Sequence, residues 1–356
     1  MRGKRRNSPE LPDASAGTPE ERRERARQDF TFFRRAYFPH YCLVGGDSRL
    51  HEWLDAELPR MADAPEGVRL AIAAPRGEAK STFVSLFFVL WAVLTGRKHY
   101  ILIIADALEQ AASLLGAVKD ELEFNEALKR DFPGAGKGHV WNVGTVVTPG
   151  NVKIQALGAG KRMRGLRPGP HRPDLIVLDD LENDGNVDKP EQRDKLQSWL
   201  QKTVLNLGAA DGSMDVVYVG TLLHYDSVLA RTLRKPLWKA RTFRSILRWP
   251  DRMDLWDEWE SLLSSRGEAE ARRFYRQHRV KMEAGAEVSW PASPAVSAHV
   301  PPCRGSGGFR FRAAERSLVC KRGAVQRVHH ILGGPEPGLA AVRSGGPVAR
   351  QTGRGA

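Results

Sequence analysis

The stretch LAIAAPRGEAKST, Leu70 to Thr82, sets an apolar run before a loop with one glycine and then Lys-Ser-Thr. Triphosphate binding needs such parts in that order. They are a buried strand, backbone N–H groups turned toward phosphate, a lysine for the outer phosphates, and a hydroxyl for Mg2+. Lys80 and Ser81 take the lysine and hydroxyl positions, and Thr82 follows at a helix start, where the helix dipole favours anions. The usual spacing G-x-x-x-x-G-K-[ST] would put glycines at Ala74 and Ala79, so Gly77 is the one glycine left. Taken alone, the stretch also fits a plain Ser/Thr-capped helix.

A second stretch, RPDLIVLDDLEND, spans Arg172 to Asp184. Its apolar residues Leu175–Leu178 end in Asp179 and Asp180, with Glu182 close behind. A carboxylate at a strand end can hold the Mg2+ shell of a nucleotide, and an adjacent acid can orient or activate the attacking water. Taken alone, this is also a buried strand running out into an acidic, solvated loop. The two stretches lie about a hundred residues apart with strand and helix patterns between them, and together they indicate nucleotide hydrolysis. A third, VVYVGTLLHYDS (Val216–Ser227), ends an apolar strand in Gly220-Thr221, where a hydroxyl could sense the terminal phosphate; an ordinary capped strand-to-helix turn looks the same. A fourth, GAGKRMRGLRPGPHR (Gly158–Arg172), has five Lys/Arg among four glycines and two prolines. Arg162, Arg164 and Arg167 are its candidates for holding phosphate, of DNA or of ATP, and a merely solvated loop is the alternative.

These motifs need a frame. Short apolar strands are expected at Val68–Ala74, Tyr100–Ala105, Lys153–Leu157, Leu175–Asp179 and Met214–Gly220, with helices at 80–95, 106–124, 189–203 and 225–234. Such alternation implies an α/β fold with a mostly parallel sheet and helices on both faces. Residues 20–41 have helical spacing and end in an aromatic cluster, 48–60 read as a second short helix, and 254–283 read as two charged amphipathic helices.

The chain has 356 residues, 41% of them hydrophobic, enough for one large core or two domains. The run FVSLFFVLWAVL (Phe83–Leu94) is too short to span a bilayer, which takes about 20 apolar residues. The first twenty or so residues are charged, lack the apolar core of a secretion signal and read as disordered. Cys42, Cys303 and Cys320 have no metal-ligand spacing and fit free thiols in a reducing compartment. The net charge is +13, but the tail from Ser293 holds ten Lys/Arg and two Asp/Glu, which leaves the rest at +5. A nucleic-acid partner would therefore meet a local basic patch and not a global field.

In order and spacing, from about Asp29 to Ala292, these motifs resemble the large terminase subunits of tailed bacteriophages, the ATP-driven motors that package DNA. The resemblance implies a P-loop NTPase of the ASCE/RecA-like type. In that family the phosphate loop has an arginine near its start and has lost its first glycine. PRGEAKST matches this form, which makes Pro75, Arg76, Gly77, Glu78, Ala79, Lys80, Ser81 and Thr82 the ATP cradle. Arg76 would contact the terminal phosphate or switch on hydrolysis. Many relatives have glycine before the lysine, and Ala79 is expected to be a mild departure, since alanine can take the α region at a helix start. Ser81 and Asp179 would hold Mg2+. Asp180 stands where many terminases have the catalytic glutamate, Glu182 competes with it, and the residues leave that choice open. VGTLLH, with Thr221, is similar to the motif that couples hydrolysis to movement. MRGLRPGPHRPD and the YFPHY and Ser48/His51 region resemble stretches before the second motif and at the start of the domain. Implied partners are double-stranded DNA, a portal protein, a small terminase subunit and further copies of the chain in a ring, in the cytoplasm of a bacterial host and with no membrane.

The implied division is a disordered 1–20, an ATPase domain over 21–250 with its N-terminal helices, a helical linker over 251–292, and a tail over 293–356. The tail has eleven Gly, six Pro and no Asp, and reads as disordered. Relatives have an RNase H-like nuclease there whose aspartates bind metal, and no such site can be written from these residues. Shifting the reading by one base lets SPAVSAHVPPCRGSGGFRFRAAERSL become APLYRHMCRRAAEAAASDSEQQNDPW, and AAVRSGGPVARQ become LRFGAVDPSLGK. These resemble the family's linker and its first nuclease strand, so the tail is expected to be out of frame. The alternative is a genuine basic tail that binds DNA. Two other functions compete with the packaging motor: a helicase-like nucleic-acid-dependent ATPase, and a decayed fragment that binds without turnover.

Overall fold

In the inner parallel strands of the sheet, alternate residues feed opposite cores, as a period of two requires. The computed structural model describes residues 17–42, 46–161, 163 and 172–290, all within one compact unit, Met1–Pro302. The first sixteen residues, the loop candidates Arg162, Arg164 and Arg167, and the tail expected to be out of frame lie outside the described residues.

The central sheet has eight strands: β1 (Arg69–Ala73), β2 (Tyr100–Ala105), β3 (Val140–Trp141), β4 (Thr145–Val147), β5 (Lys153–Gly158), β6 (Leu175–Asp179), β7 (Asp215–Gly220) and β8 (Lys239–Thr242). Their order is β3-β4-β5-β2-β6-β7-β1-β8. From β5 to β8 every pairing is parallel, and β3 and β4 add an antiparallel edge. The α/β architecture with a mostly parallel sheet is as expected. The order has one functional consequence: β7 is inserted between β1 and β6, so its tip lies between the phosphate loop and the acid pair.

Leu70, Ile72, Ile101, Ile103, Val177, Val217 and Val219 face one core. There they meet α1 (Pro19–Gln28), α2 (Phe30–Tyr37), α3 (Arg49–Ala62), the helical run Thr82–Phe88 that continues as α4 (Val89–Leu94), and α5 (Leu108–Phe124). Ala71, Ala73, Leu102, Ile104, Ile176, Leu178 and Val216 face the other. That core is closed by α8 (Pro190–Lys202) and α9 (Val228–Thr232), while the short helices α6 (Glu126–Asp131) and α7 (Asp184–Val187) link elements outside it. The expected single helix over 20–41 is two. Asp29 ends α1 and its carboxylate accepts the Phe32 N–H at 2.8 Å to cap α2. The two charged helices are α10 (Met253–Arg266) and α11 (Glu268–Glu283), parted by Gly267 at φ +83° and packed through Leu255, Trp259, Ala271, Tyr275 and Met282. The chain then returns as β10 (Glu287–Val288), antiparallel to β9 (Ile246–Arg248). Among the described residues, no helix is long and apolar enough to cross a membrane.

Candidate functional site

Every parallel strand of the sheet runs toward one rim, and three strand ends bring the singled-out residues together there. β1 runs into Ala74, Pro75, Arg76 and Gly77. Gly77 has φ +87°, a left-handed conformation that glycine adopts freely. Ala79 is left-handed too, at φ +52°. This corrects the expectation of an α-region alanine: the backbone keeps the conformation that suits glycine although the side chain is present. Such a conformation costs an L-residue about 1–2 kcal/mol and needs support from its surroundings.

After Ala79 the chain turns into the helix that carries Lys80, Ser81 and Thr82. Its turns over Thr82–Phe88 are of the wide π type, which are frequent at functional sites. Ser81 and Ser85, four residues apart, both point at the acid strand. The Ser81 hydroxyl donates to Asp179 Oδ1 at 2.9 Å and the Ser85 hydroxyl to Oδ2 at 2.5 Å. Ser85 was not among the expected site residues; a lone hydroxyl in the apolar run FVSLFF, one turn after Ser81, was the available signal. Asp179 is 0% exposed. Burial pushes its carboxyl up to about 6; the neighbouring Asp180 charge adds to the rise, while Ser85, Ser81 and Lys80 oppose it.

Asp180 is left-handed at φ +46°. It sits 3.2 Å from Lys80 Nζ and accepts the Thr221 N–H at 2.9 Å. Gly220 makes room for it: a Cβ there would lie 3.2 Å from Asp180 Oδ1. The Thr221 hydroxyl is buried and has no hydrogen-bond partner among the described residues. Glu182 is placed differently. Its carboxylate accepts the Val228 N–H at 2.7 Å and the Leu229 N–H at 3.1 Å, and so caps α9. Arg76 lies 3.6 Å from Asp184 at the start of α7. Glu78 is buried, its Oε2 has no partner among the described residues, and burial pushes its carboxyl up against the opposing pull of Ser48 and His51.

Lys80, Ser81, Asp179, Asp180 and Thr221 therefore converge, with Ser85 added. Arg76 and Glu182 sit beside the group with other partners. The donor set suits Mg2+, which prefers oxygen and keeps several water or phosphate ligands. Among the described residues no three His, Cys, Asp or Glu side chains gather to hold a metal alone. Phosphate oxygens and water would have to complete a shell begun by Ser81 and Asp179.

The structure is similar to solved structures of the ATPase domain of the large terminase of Thermus phage P74-26. A mutant of that domain, with one arginine replaced by alanine, aligns at TM-score 0.35 and 14% identity, covering 59% of this chain and 87% of that one. The same domain without that mutation aligns at TM-score 0.34 and 15% identity, covering 62% and 91%. At that overlap the likeness carries no weight, and function is inferred from the geometry of the site itself. No family model and no curated protein matches the chain.

Proposed function

We propose that this chain is an Mg2+-dependent ATP hydrolase, the motor module of a phage or prophage DNA-packaging enzyme. The observation that carries the hydrolase reading is the meeting of Lys80 and Ser81 with Asp179 and Asp180 at one rim of a parallel sheet. Backbone N–H groups of Gly77–Thr82 and the Lys80 ammonium would hold the phosphates. Ser81 and Asp179 would hold Mg2+, which when bound screens phosphate charge and orients the outer phosphate. Asp180 is the proposed catalytic carboxylate. Its partners Lys80 and the Thr221 N–H can be exchanged for phosphate and water, whereas both Glu182 oxygens are committed to α9. Lys80 moving to phosphate frees Asp180 to take a proton from the water that attacks the terminal phosphorus as ADP leaves. Thr221 would report that change to β7, and Arg76 would contact the outer phosphate.

A local basic surface supports double-stranded DNA as the partner. Ser227–Pro250 holds seven Lys/Arg and no Asp/Glu. Arg231, Lys239 and Arg248 face acids, while Arg234, Arg241 and Arg244 are exposed with no ion pair among the described residues. All of β8 is exposed, and it is paired directly with the phosphate-loop strand β1. A ring of copies, a portal and a small subunit belong to the same proposal. Residues 293–356 hold no aspartate, so no metal-binding site for DNA cutting is proposed within them; the coding sequence from Glu287 onward, read in all frames, tests the out-of-frame tail. The functional test is ATP turnover with and without duplex DNA. DNA-stimulated hydrolysis that Lys80→Ala abolishes supports the reading, and wild-type protein without turnover overturns it.

A further inference from the structure

The left-handed alanine in the phosphate loop has a visible support. Ser48 caps α3: its hydroxyl accepts the His51 N–H, and its own N–H donates to His51 Nδ1, each at 3.2 Å. A carbonyl only accepts, so Nε2 carries a proton and donates to the Glu78 carbonyl at 2.9 Å, while Nδ1 also lies 3.7 Å from Asp47 Oδ1. The imidazole is 2% exposed and stacks on Phe83, with ring centroids 4.3 Å apart and planes 10° apart. Phe83 in turn donates its N–H to the Ala79 carbonyl at 3.0 Å. His51 thus touches the loop on both sides of Ala79. The peptide joining Glu78 to Ala79 is planar and trans, so fixing its carbonyl on His51 aims the Ala79 N–H the opposite way.

His51 is itself held from the far end of the described chain. The edge of Trp290 meets the His51 ring at 4.6 Å and 78°, and the indole N–H donates to the Gly46 carbonyl at 3.1 Å. The residue before it is pinned as well. The Ser289 N–H donates to the Ser245 carbonyl at 2.8 Å, and the Ser289 carbonyl accepts the Arg49 N–H at 3.4 Å.

The geometry points to a clasp: His51 holds the phosphate loop in the form that a glycine would adopt freely, and Trp290 sets His51, so the segment after α11 regulates the loop. His51 is a positioning residue here, acting through the Glu78 carbonyl. The clasp rests on the phosphate-loop reading for its purpose, but its mechanics can be measured without nucleotide.

Hydrogen exchange of the full chain, followed by mass spectrometry over residues 77–82, is the test. His51→Phe keeps a ring and loses the donor, and we expect loop exchange at least about tenfold faster. His51→Gln restores a donor and should recover part of the protection. Trp290→Ala, at a half-buried site, should speed the loop about threefold while exchange in β1 and β6 stays slow. In an Ala79→Gly background the effect of His51→Phe should shrink, which a general loss of structure would not produce. Loop exchange unchanged in Trp290→Ala overturns the clasp, even if His51→Phe fails to fold, and so does exchange in His51→Gln as fast as in His51→Phe. Binding of a fluorescent ATP analogue with Mg2+ separates the two readings. Wild type that fails to bind it sinks the phosphate-loop reading and leaves the exchange result to decide the clasp. Wild type that binds should lose affinity about tenfold in His51→Phe with a smaller change in turnover number.

Discussion

Two regions of this molecule bury charge, and they treat it in opposite ways. Among the N-terminal helices, Arg22 forks onto Asp131 at 2.7 and 2.5 Å, Tyr37 donates to the same carboxylate at 2.9 Å, and Arg130 joins from its neighbouring position. Arg34 likewise pairs with Asp47 and Asp55. Burial alone would raise the Asp131 carboxyl, but the bonds from Arg22, Arg130 and Tyr37 outweigh it and hold the carboxyl well below the carboxylate range. At the rim of the sheet the balance reverses. Asp179 has hydroxyls and a second acid beside it and is pushed up to about 6, and the Thr221 hydroxyl and one Glu78 oxygen have no partner among the described residues. A buried charge that is fully matched is part of the scaffold. A rim of buried polar groups left short of partners is where a ligand would complete the set.

Substitutions in the two regions should therefore fail differently. The largest stability loss, read as the largest fall in denaturant midpoint, is expected from Asp131→Ala, which removes the carboxylate shared by Arg22, Arg130 and Tyr37. The same cluster sets an acid limit. A carboxylate with a lowered folded pKa contributes stability above its unfolded value, and that contribution is lost as pH falls through about 4 and below. Wild type should thus lose stability on acidification, and Asp131→Ala should show a shallower slope. Asp180→Asn should leave unfolding nearly unchanged and cut turnover by about 10²–10⁴-fold, the range for a lost general base. Glu182→Gln should do the reverse. It weakens the cap of α9 by about 1–2 kcal/mol and spares most turnover. The smallest effect is expected from Ala79→Gly, which relieves a strained backbone worth about 1–2 kcal/mol but frees the chain more in the unfolded state, so thermal unfolding should move little.

Much of the frame was legible because its physics is periodic. The apolar runs at Tyr100–Ala105 and Leu175–Asp179 are strands buried on both faces, and their shortness between helical stretches is what a covered parallel sheet requires. β8 was not legible. Lys-Ala-Arg-Thr has no apolar pattern because it pairs at an edge through its backbone, with every side chain exposed. The helix break at Asp29 was hidden because the residues on either side keep helical spacing, and only the carboxylate acting as a cap marks the break. At the site, residue types placed the lysine, hydroxyl and acids together, but they could not order Asp180 and Glu182. That distinction depends on β6 and α9 being neighbours, a tertiary fact. The left-handed form of Ala79 is not legible for a related reason: the contact beside it, on the Glu78 carbonyl, comes from His51, 28 positions before Ala79 in the chain.

If the rim of the sheet hydrolyses ATP, Asp180 is the residue on which turnover depends. The most direct measurement is the steady-state rate of Mg2+-ATP hydrolysis, with and without duplex DNA, for wild type, Asp180→Asn and Glu182→Gln, each first checked for folding. The expected result is turnover in wild type, near-complete loss in Asp180→Asn, and most of the rate kept in Glu182→Gln. Full activity in Asp180→Asn, with the loss in Glu182→Gln instead, would contradict the assignment.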